Sequence, residues 1–197
     1  MGVSYHDEAP MDPARIEQLR DPAIYPEGAE SVEILQTHLS VVVLSGDRAY
    51  KFKKAIHLPF ADFTSLEQRR HFCEEELRLN RRLCPEIYES VVALRSDEDG
   101  RLRIDDGVEI VDFAVKMRRL PQERMMDVLL ERNAVSREQI EAIALQVVAF
   151  HRDAPRGSEI DALGDPEKLR GFALANFMET RGFFPERFHA ALATRTE

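Results

Sequence analysis

The alternation of apolar and polar positions predicts a strand-rich first half and a helical second half. Val41-Val42-Val43-Leu44 is a β-branched run, Ser45-Gly46-Asp47 is turn chemistry, and Arg48 to Lys53 alternates as a second, antiparallel strand would. With a side-chain period of two, Ala49, Lys51 and Lys53 share one face of that strand, and Tyr50, Phe52 and Lys54 share the other. One face is therefore cationic. Val32 to Leu35 reads as an earlier strand, joined to the hairpin by the glycine-free polar turn Gln36-Thr37-His38-Leu39-Ser40, and Ile56 to Phe63 is an apolar connection containing Pro59.

A long helix follows from about Ser65 to Leu83. Thr64-Ser65-Leu66-Glu67 has the spacing of a capping box, and Pro85 stops the helix. Leu66, Phe72, Leu79 and Leu83 give it an inward stripe. Glu76, four residues after Phe72 and seven before Leu83, shares that stripe, whereas Glu74 does not and Glu75 sits at its edge. A carboxylate on the packed side of a helix is costly unless paired, and the nearest cation is a lysine of the adjoining strand, which suggests Lys51 with Glu76. The competing reading is a solvated glutamate run with lysines reaching water. Spacing alone leaves both open.

Elsewhere, Asp12-Pro13 starts a short helix with Ile16 and Leu19 on one edge, and Asp21-Pro22 and Tyr25-Pro26-Glu27-Gly28 form a loop. Val91 to Leu94 and Val111 to Met117 are strand segments and Leu102-Arg103-Ile104 can be a short strand, separated by the turns Asp97-Glu98-Asp99-Gly100 and Asp105-Asp106-Gly107. The expected architecture is α+β, an antiparallel five-stranded sheet with one helix inserted after the third strand. Beyond Leu120-Pro121 everything reads as helix. Met125, Val128 and Leu129 mark one helix, and Ser136-Arg137-Glu138-Gln139 caps a second that carries Ile140, Ile143, Ala144, Val147, Val148 and His151. Asp165-Pro166 opens a third with Leu169, Phe172, Phe177 and Met178, and Pro185 a fourth with Phe188 and Leu192. The expected divisions are 1–30, 31–120 and 121–197.

Composition narrows the function. A chain of 197 residues supports one sizeable core, and a formal charge of −9 argues against a nucleic-acid binder, which needs a basic stripe to neutralise phosphates. No apolar window is long enough for a membrane span, and the polar, acidic Met1 to Pro10 is unlike a secretory signal, so the expected location is the cytoplasm. Cys73 and Cys84, eleven residues apart on one helix, would be separated by about 16 Å, too far for a disulfide. The histidines lack metal-ligand spacing, so no metal held by side chains alone is expected.

A strand lysine, an inserted helix with a glutamate, a linker and a helical lobe follow the order of the protein-kinase-like fold. Ala49-Tyr50-Lys51 resembles the end of the kinase V-A-I-K strand, and Glu76 to Pro85 is similar to its glutamate-bearing helix running into a proline. Val111 to Pro121 resembles the fifth strand and hinge, and Val147-Val148-Ala149-Phe150-His151 a helix end common in aminoglycoside phosphotransferases. Thr37-His38-Leu39-Ser40, Ser45 to Lys51 and Arg70 to Leu83 resemble signature runs of the bacterial aminoglycoside-phosphotransferase-like family often fused to a P-loop ATPase domain.

The resemblance implies a kinase-like N-lobe at 31–120 and a partial helical C-lobe at 121–197. It implies an adenine nucleotide, ATP with Mg2+, as ligand. Lys51 would hold its α- and β-phosphates and Glu76 would hold Lys51. Lys53, about 6.6 Å along the same face, is the runner-up. Thr37, His38 and Ser40 fall where the phosphate-covering loop belongs, or form an ordinary turn. The main chain of Arg118, Arg119 and Leu120 would meet the adenine edge, with Met117 lining the pocket or belonging to plain core.

The H-G-D-x-x-x-x-N pattern that supplies the catalytic carboxylate and asparagine is absent. Gly164-Asp165 has Arg170 where the asparagine belongs, and Asp165 is better explained as a helix cap. No metal-binding aspartate is found either. The expectation is therefore an N-terminal portion that ends before its catalytic loop and is inactive alone. Its stripes at Ile140 to Val148 and Phe172 to Phe177 would lack part of their cover, and its partners would be a missing C-lobe or a P-loop ATPase domain. The alternatives are a degenerate kinase acting as a nucleotide-binding or protein-interaction module, and a plain interaction protein whose lysines and glutamates only solubilise the surface.

Overall fold

The structure, a computed structural model, describes residues 13–58 and 60–180, without the side chains of residues 177, 179 and 180. The expected cap at Asp12, the Pro59 interruption, the Phe177 side chain and the helix with Phe188 and Leu192 lie outside the described residues. The chain divides into two compact units, 1–146 and 147–197.

The first unit is α+β. Helix α1 (Pro13–Gln18) and a single 3-10 turn (Pro22–Ile24) precede strands β1 (Val32–Gln36), β2 (Ser40–Ser45) and β3 (Arg48–Lys53). The two-residue strands β4 (His57–Leu58) and β5 (Ala61–Asp62) pair only with each other, inside what the sequence presents as a plain connection. Helix α2 (Leu66–Asn80) leads to β6 (Tyr88–Ser96), β7 (Leu102–Ile104) and β8 (Glu109–Arg118). The main sheet is antiparallel in the order β1-β2-β3-β8-β6-β7. It has six strands, not the expected five, because the three-residue β7 pairs in full with β6 through Leu94–Ile104, Arg95–Arg103 and Ser96–Leu102. Three residues give too little periodicity to weigh in sequence. The ladder partner makes the strand.

Alternation sends residues to two cores. Val41, Val43, Tyr50, Phe52, Val92, Leu94 and Ala114 pack with Leu19, Ile24 and Tyr25, so the N-terminal segment belongs to the sheet's own core. Ala93, Phe113 and Val115 pack with Leu66 and Cys73 of α2. On the first side, the Tyr50 hydroxyl donates to Glu27, and Lys116 Nζ lies 2.9 Å from the same carboxylate.

The α2 cap is Ser65, whose Oγ accepts from Gln68 N, one position later than expected, while Thr64 donates both its hydroxyl and its N–H to Asp62 Oδ1. The helix ends at Asn80, and Leu79 and Leu83 are exposed. Its inward face is the expected Leu66 together with Arg69, Cys73 and Glu76, at i, i+3, i+7 and i+10, in place of the expected Leu79 and Leu83. Near the β7–β8 connection Gly107 adopts φ +135, and a Cβ there would lie 2.7 Å from the Ser96 carbonyl oxygen. Gly107→Ala is expected to cost about 1–3 kcal/mol in urea unfolding.

The free cysteines differ in environment. Burial pushes the Cys73 thiol up to about 12, and its Sγ faces the Phe113 carbonyl at 3.8 Å. Cys84, beyond the helix end, is half-buried. A thiol reagent is therefore expected to label Cys84 in the native protein and Cys73 only on unfolding, as counted by mass spectrometry.

Helices α3 (Met126–Glu131) and α4 (Arg137–Arg152) follow the sheet. Ser136 and Gln139 form the expected reciprocal capping box, Ser136 N donating to Oε1 at 2.8 Å and Gln139 N to Oγ at 3.3 Å. The second unit carries the end of α4, the single-turn α5 (Ser158–Asp161) and α6 (Pro166–Thr180), with Asp165 Oδ1 capping Glu167 N and Lys168 N. On these helices Ile140, Ile143, Val148 and Phe172 are exposed. Among the described residues no helix is long and apolar enough to cross a membrane.

Candidate functional site

The polar centre of the first unit lies where β3 meets α2. Because Lys51 and Lys53 are two residues apart on one strand face, they meet the helix together. Lys51 Nζ is 2.8 Å from Glu76 Oε1, and Lys53 Nζ is 2.8 Å from Glu76 Oε2. The suggested pair is thus a triad, with the two lysines each taking one oxygen of a single carboxylate. Lys51 is 32% exposed in its side chain, Glu76 13% and Lys53 8%. Lys53 also sits 5.2 Å from the centroid of the buried Phe63 ring, a cation–π contact. Burial works to raise the Glu76 carboxyl, but the hydrogen bonds and charges of Lys51 and Lys53 outweigh it and hold the group below the usual carboxylate range. Nearby, burial and then the Glu76 charge push the Tyr88 phenol up.

A second buried pair fixes the start of α2. Arg69 Nε lies 2.8 Å from Asp112 Oδ1 with both side chains almost wholly buried, and Arg69 Nη1 donates to the carbonyls of Phe63 and Thr64. Burial pushes the Asp112 carboxyl up, while the guanidinium opposes that shift. The arrangement ties the helix to β8 and sets the height at which Glu76 faces β3. Neither residue stands among the site residues read from sequence. The signal was a lone carboxylate inside the apolar run Ile110 to Val115.

The other expected residues are spread around this centre. Met117, opposite Ala49, packs with Tyr88 and Val91 on the α2 side of the sheet, two residues along from Val115, the ladder partner of Lys51. Thr37, His38 and Ser40 form the β1–β2 turn, and Ser40 is the ladder partner of Lys53. The turn closes on itself. Ser40 N donates to Thr37 Oγ1 at 3.0 Å, Thr37 N donates to Ser40 O, and Lys54 Nζ donates to Thr37 O at 2.8 Å. His38 is exposed and Ser40 buried. At the end of β8 the Arg118 and Arg119 N–H groups are already engaged, with Ile87 O and Asp47 O. The Leu120 main chain makes no hydrogen bond among the described residues. Arg119, Leu120 and Pro121 line a cleft of about 380 Å³ together with Asp47, Gln122 and Glu123.

Chemically, the triad is a cluster of two cations on one carboxylate, with one partly exposed ammonium. Among the described residues no group of three or more His, Cys, Asp or Glu side chains could hold a metal ion.

The chain is 31% identical over 134 residues to uncharacterized proteins of Mycobacterium bovis and Mycobacterium tuberculosis. The match covers 68% of this chain and 25% of each relative, so the chain spans about a quarter of the length of the curated relatives it matches. No family model and no solved structure matches it.

Proposed function

We propose that this chain is the nucleotide-binding portion of an aminoglycoside-phosphotransferase-like, small-molecule-kinase-like protein that binds ATP with Mg2+. The observation that carries the reading is the link from Lys51 on the third strand to Glu76 on the inserted helix, on the sheet face it shares with Ala49 and Met117. Lys51 would take the α- and β-phosphates, and Ala49 and Met117 would line the adenine side. With the N–H groups of Arg118 and Arg119 engaged, the Leu120 N–H is the donor of the three left to meet the adenine edge. The Thr37–Ser40 turn supports the phosphate end through its position beside Lys53 rather than through the Thr37 hydroxyl, which is spent on closing the turn.

Phosphoryl transfer needs a positioned base and metal ligands. With no H-G-D-x-x-x-x-N run in the sequence, the chain is proposed to bind nucleotide without transferring phosphate. A missing helical lobe or a P-loop ATPase domain would be the completing partner. The same absence favours a second reading, a degenerate kinase that binds nucleotide only to present a surface. Turnover on adding a completing lobe would separate the two.

Calorimetric titration with MgATP tests the proposal. The parent is expected to bind, and Lys51→Ala to weaken binding by about tenfold or more, the scale of one charge lost beside a phosphate. A folded parent that gives no binding heat would sink the nucleotide reading.

A further inference from the structure

Two ammonium groups face one carboxylate at Lys51, Glu76 and Lys53, leaving one positive charge in surplus. The two cations are not equivalent. Lys53 is held by Glu76 Oε2 on one side and by the Phe63 ring on the other, and its side chain is 8% exposed. Lys51 touches only the other oxygen and is 32% exposed, so its ammonium can turn outward while the strand stays in place. In a simple lysine–glutamate pair, a lysine that turned toward a ligand would strand a buried carboxylate without a counter-charge. Here the carboxylate keeps one.

We infer that Lys53 is a positioning residue that neutralises Glu76 at all times, so that Lys51 is released to bind a polyphosphate. The inference rests on the reading of this cluster as a phosphate site and assigns the second lysine a role in it. Lys53 itself never touches the ligand. Without it, Lys51 and Glu76 form a neutral pair that an incoming polyanion must break.

The test is the affinity of the chain for ATP and for inorganic tripolyphosphate, measured for the parent, Lys53→Met, Lys53→Arg and the double variant Lys53→Met/Glu76→Gln, each checked for folding by circular dichroism. Lys53→Met is expected to weaken both ligands about tenfold, the effect of one charge a few ångströms away. Lys53→Arg keeps the charge and stays near the parent. Adding Glu76→Gln to Lys53→Met restores affinity, because Lys51 is no longer tied to an otherwise unaccompanied carboxylate. A purely structural lysine gives no such recovery, since the second change removes a further ion-pair contact. Lys53→Gln, which keeps a hydrogen-bond donor without the charge, replaces the methionine variant if the latter does not fold.

Parent-like binding by Lys53→Met, or a double variant no better than the single one, overturns the inference. The expected pattern seen with tripolyphosphate while ATP binds no more tightly upholds the role of Lys53 and removes the adenine reading. A folded parent that binds neither ligand overturns both.

Discussion

Asp112→Ala is expected to destabilise the first unit by about 3–5 kcal/mol, the usual cost of removing one partner of a buried ion pair. The partner cannot escape to water: Arg69 Nη1 is fixed by the Phe63 and Thr64 carbonyls, and its side chain is 6% exposed. The variant therefore leaves a desolvated guanidinium against an empty site. Set against a total stability of about 5–15 kcal/mol, the loss is a large fraction. At roughly 2–4 °C per kcal/mol it lowers the melting temperature by about 6–20 °C in a circular-dichroism melt. Arg69→Met/Asp112→Leu, which removes both charges and refills the space with apolar volume, is expected to recover most of the loss. A melt of Asp112→Ala within about 2 °C of the parent would mean that the pair does not anchor α2.

Glu76→Ala is expected to cost about 3 kcal/mol, because it strands two ammonium groups, one of them buried against Phe63. Lys51→Ala should cost less than about 1 kcal/mol, since Lys51 is partly exposed and Glu76 keeps Lys53. The lysine that matters most for nucleotide is thus the cheaper one to remove, which keeps Lys51→Ala usable in the binding experiment. The effect of Glu76 depends on pH in a definite direction. Its carboxyl is held below the ordinary value in the folded state, so its stabilisation is fully present above the unfolded pKa of about 4.3 and is lost as pH falls through the lower folded value. The stability difference between the parent and Glu76→Gln, taken from urea unfolding at a series of pH values, should hold steady above about pH 5 and shrink below about pH 4. A difference that grows on acidification would contradict the triad.

The inward face of α2 shows how far sequence reasoning reached. Leu66, Phe72, Leu79 and Leu83 look like its buried stripe, yet Leu79 and Leu83 face outward, and two of the four positions turned inward are Arg69 and Glu76. A pattern of apolar spacing assigns charged side chains to water. These two are inside because their partners, Asp112 and the β3 lysines, stand across from them, 43, 25 and 23 residues away in the chain. The pairing of Lys51 with Glu76 was legible because Glu76 follows Phe72 by one helical turn and the runs around both residues resemble kinase signatures. The share of Lys53 in it was not. Whether two lysines two residues apart reach one carboxylate or two depends on how the helix sits over the strand.

By itself the sequence determined what acts over short range. The β2–β3 hairpin and its two faces follow from alternation around a glycine turn, the Ser136 capping box from its four residues, and the role of Asp165 as a cap from the helix that starts after it. Tertiary structure alone decided that Leu102–Ile104 joins the sheet as its sixth strand, that Arg69 and Glu76 turn inward on α2, and that Glu76 carries a charge surplus. Each of these is settled by a partner brought near by folding. A ladder hydrogen bond or an ion pair gains its strength from burial and a separation of about 3 Å, quantities that have no value until the chain is packed.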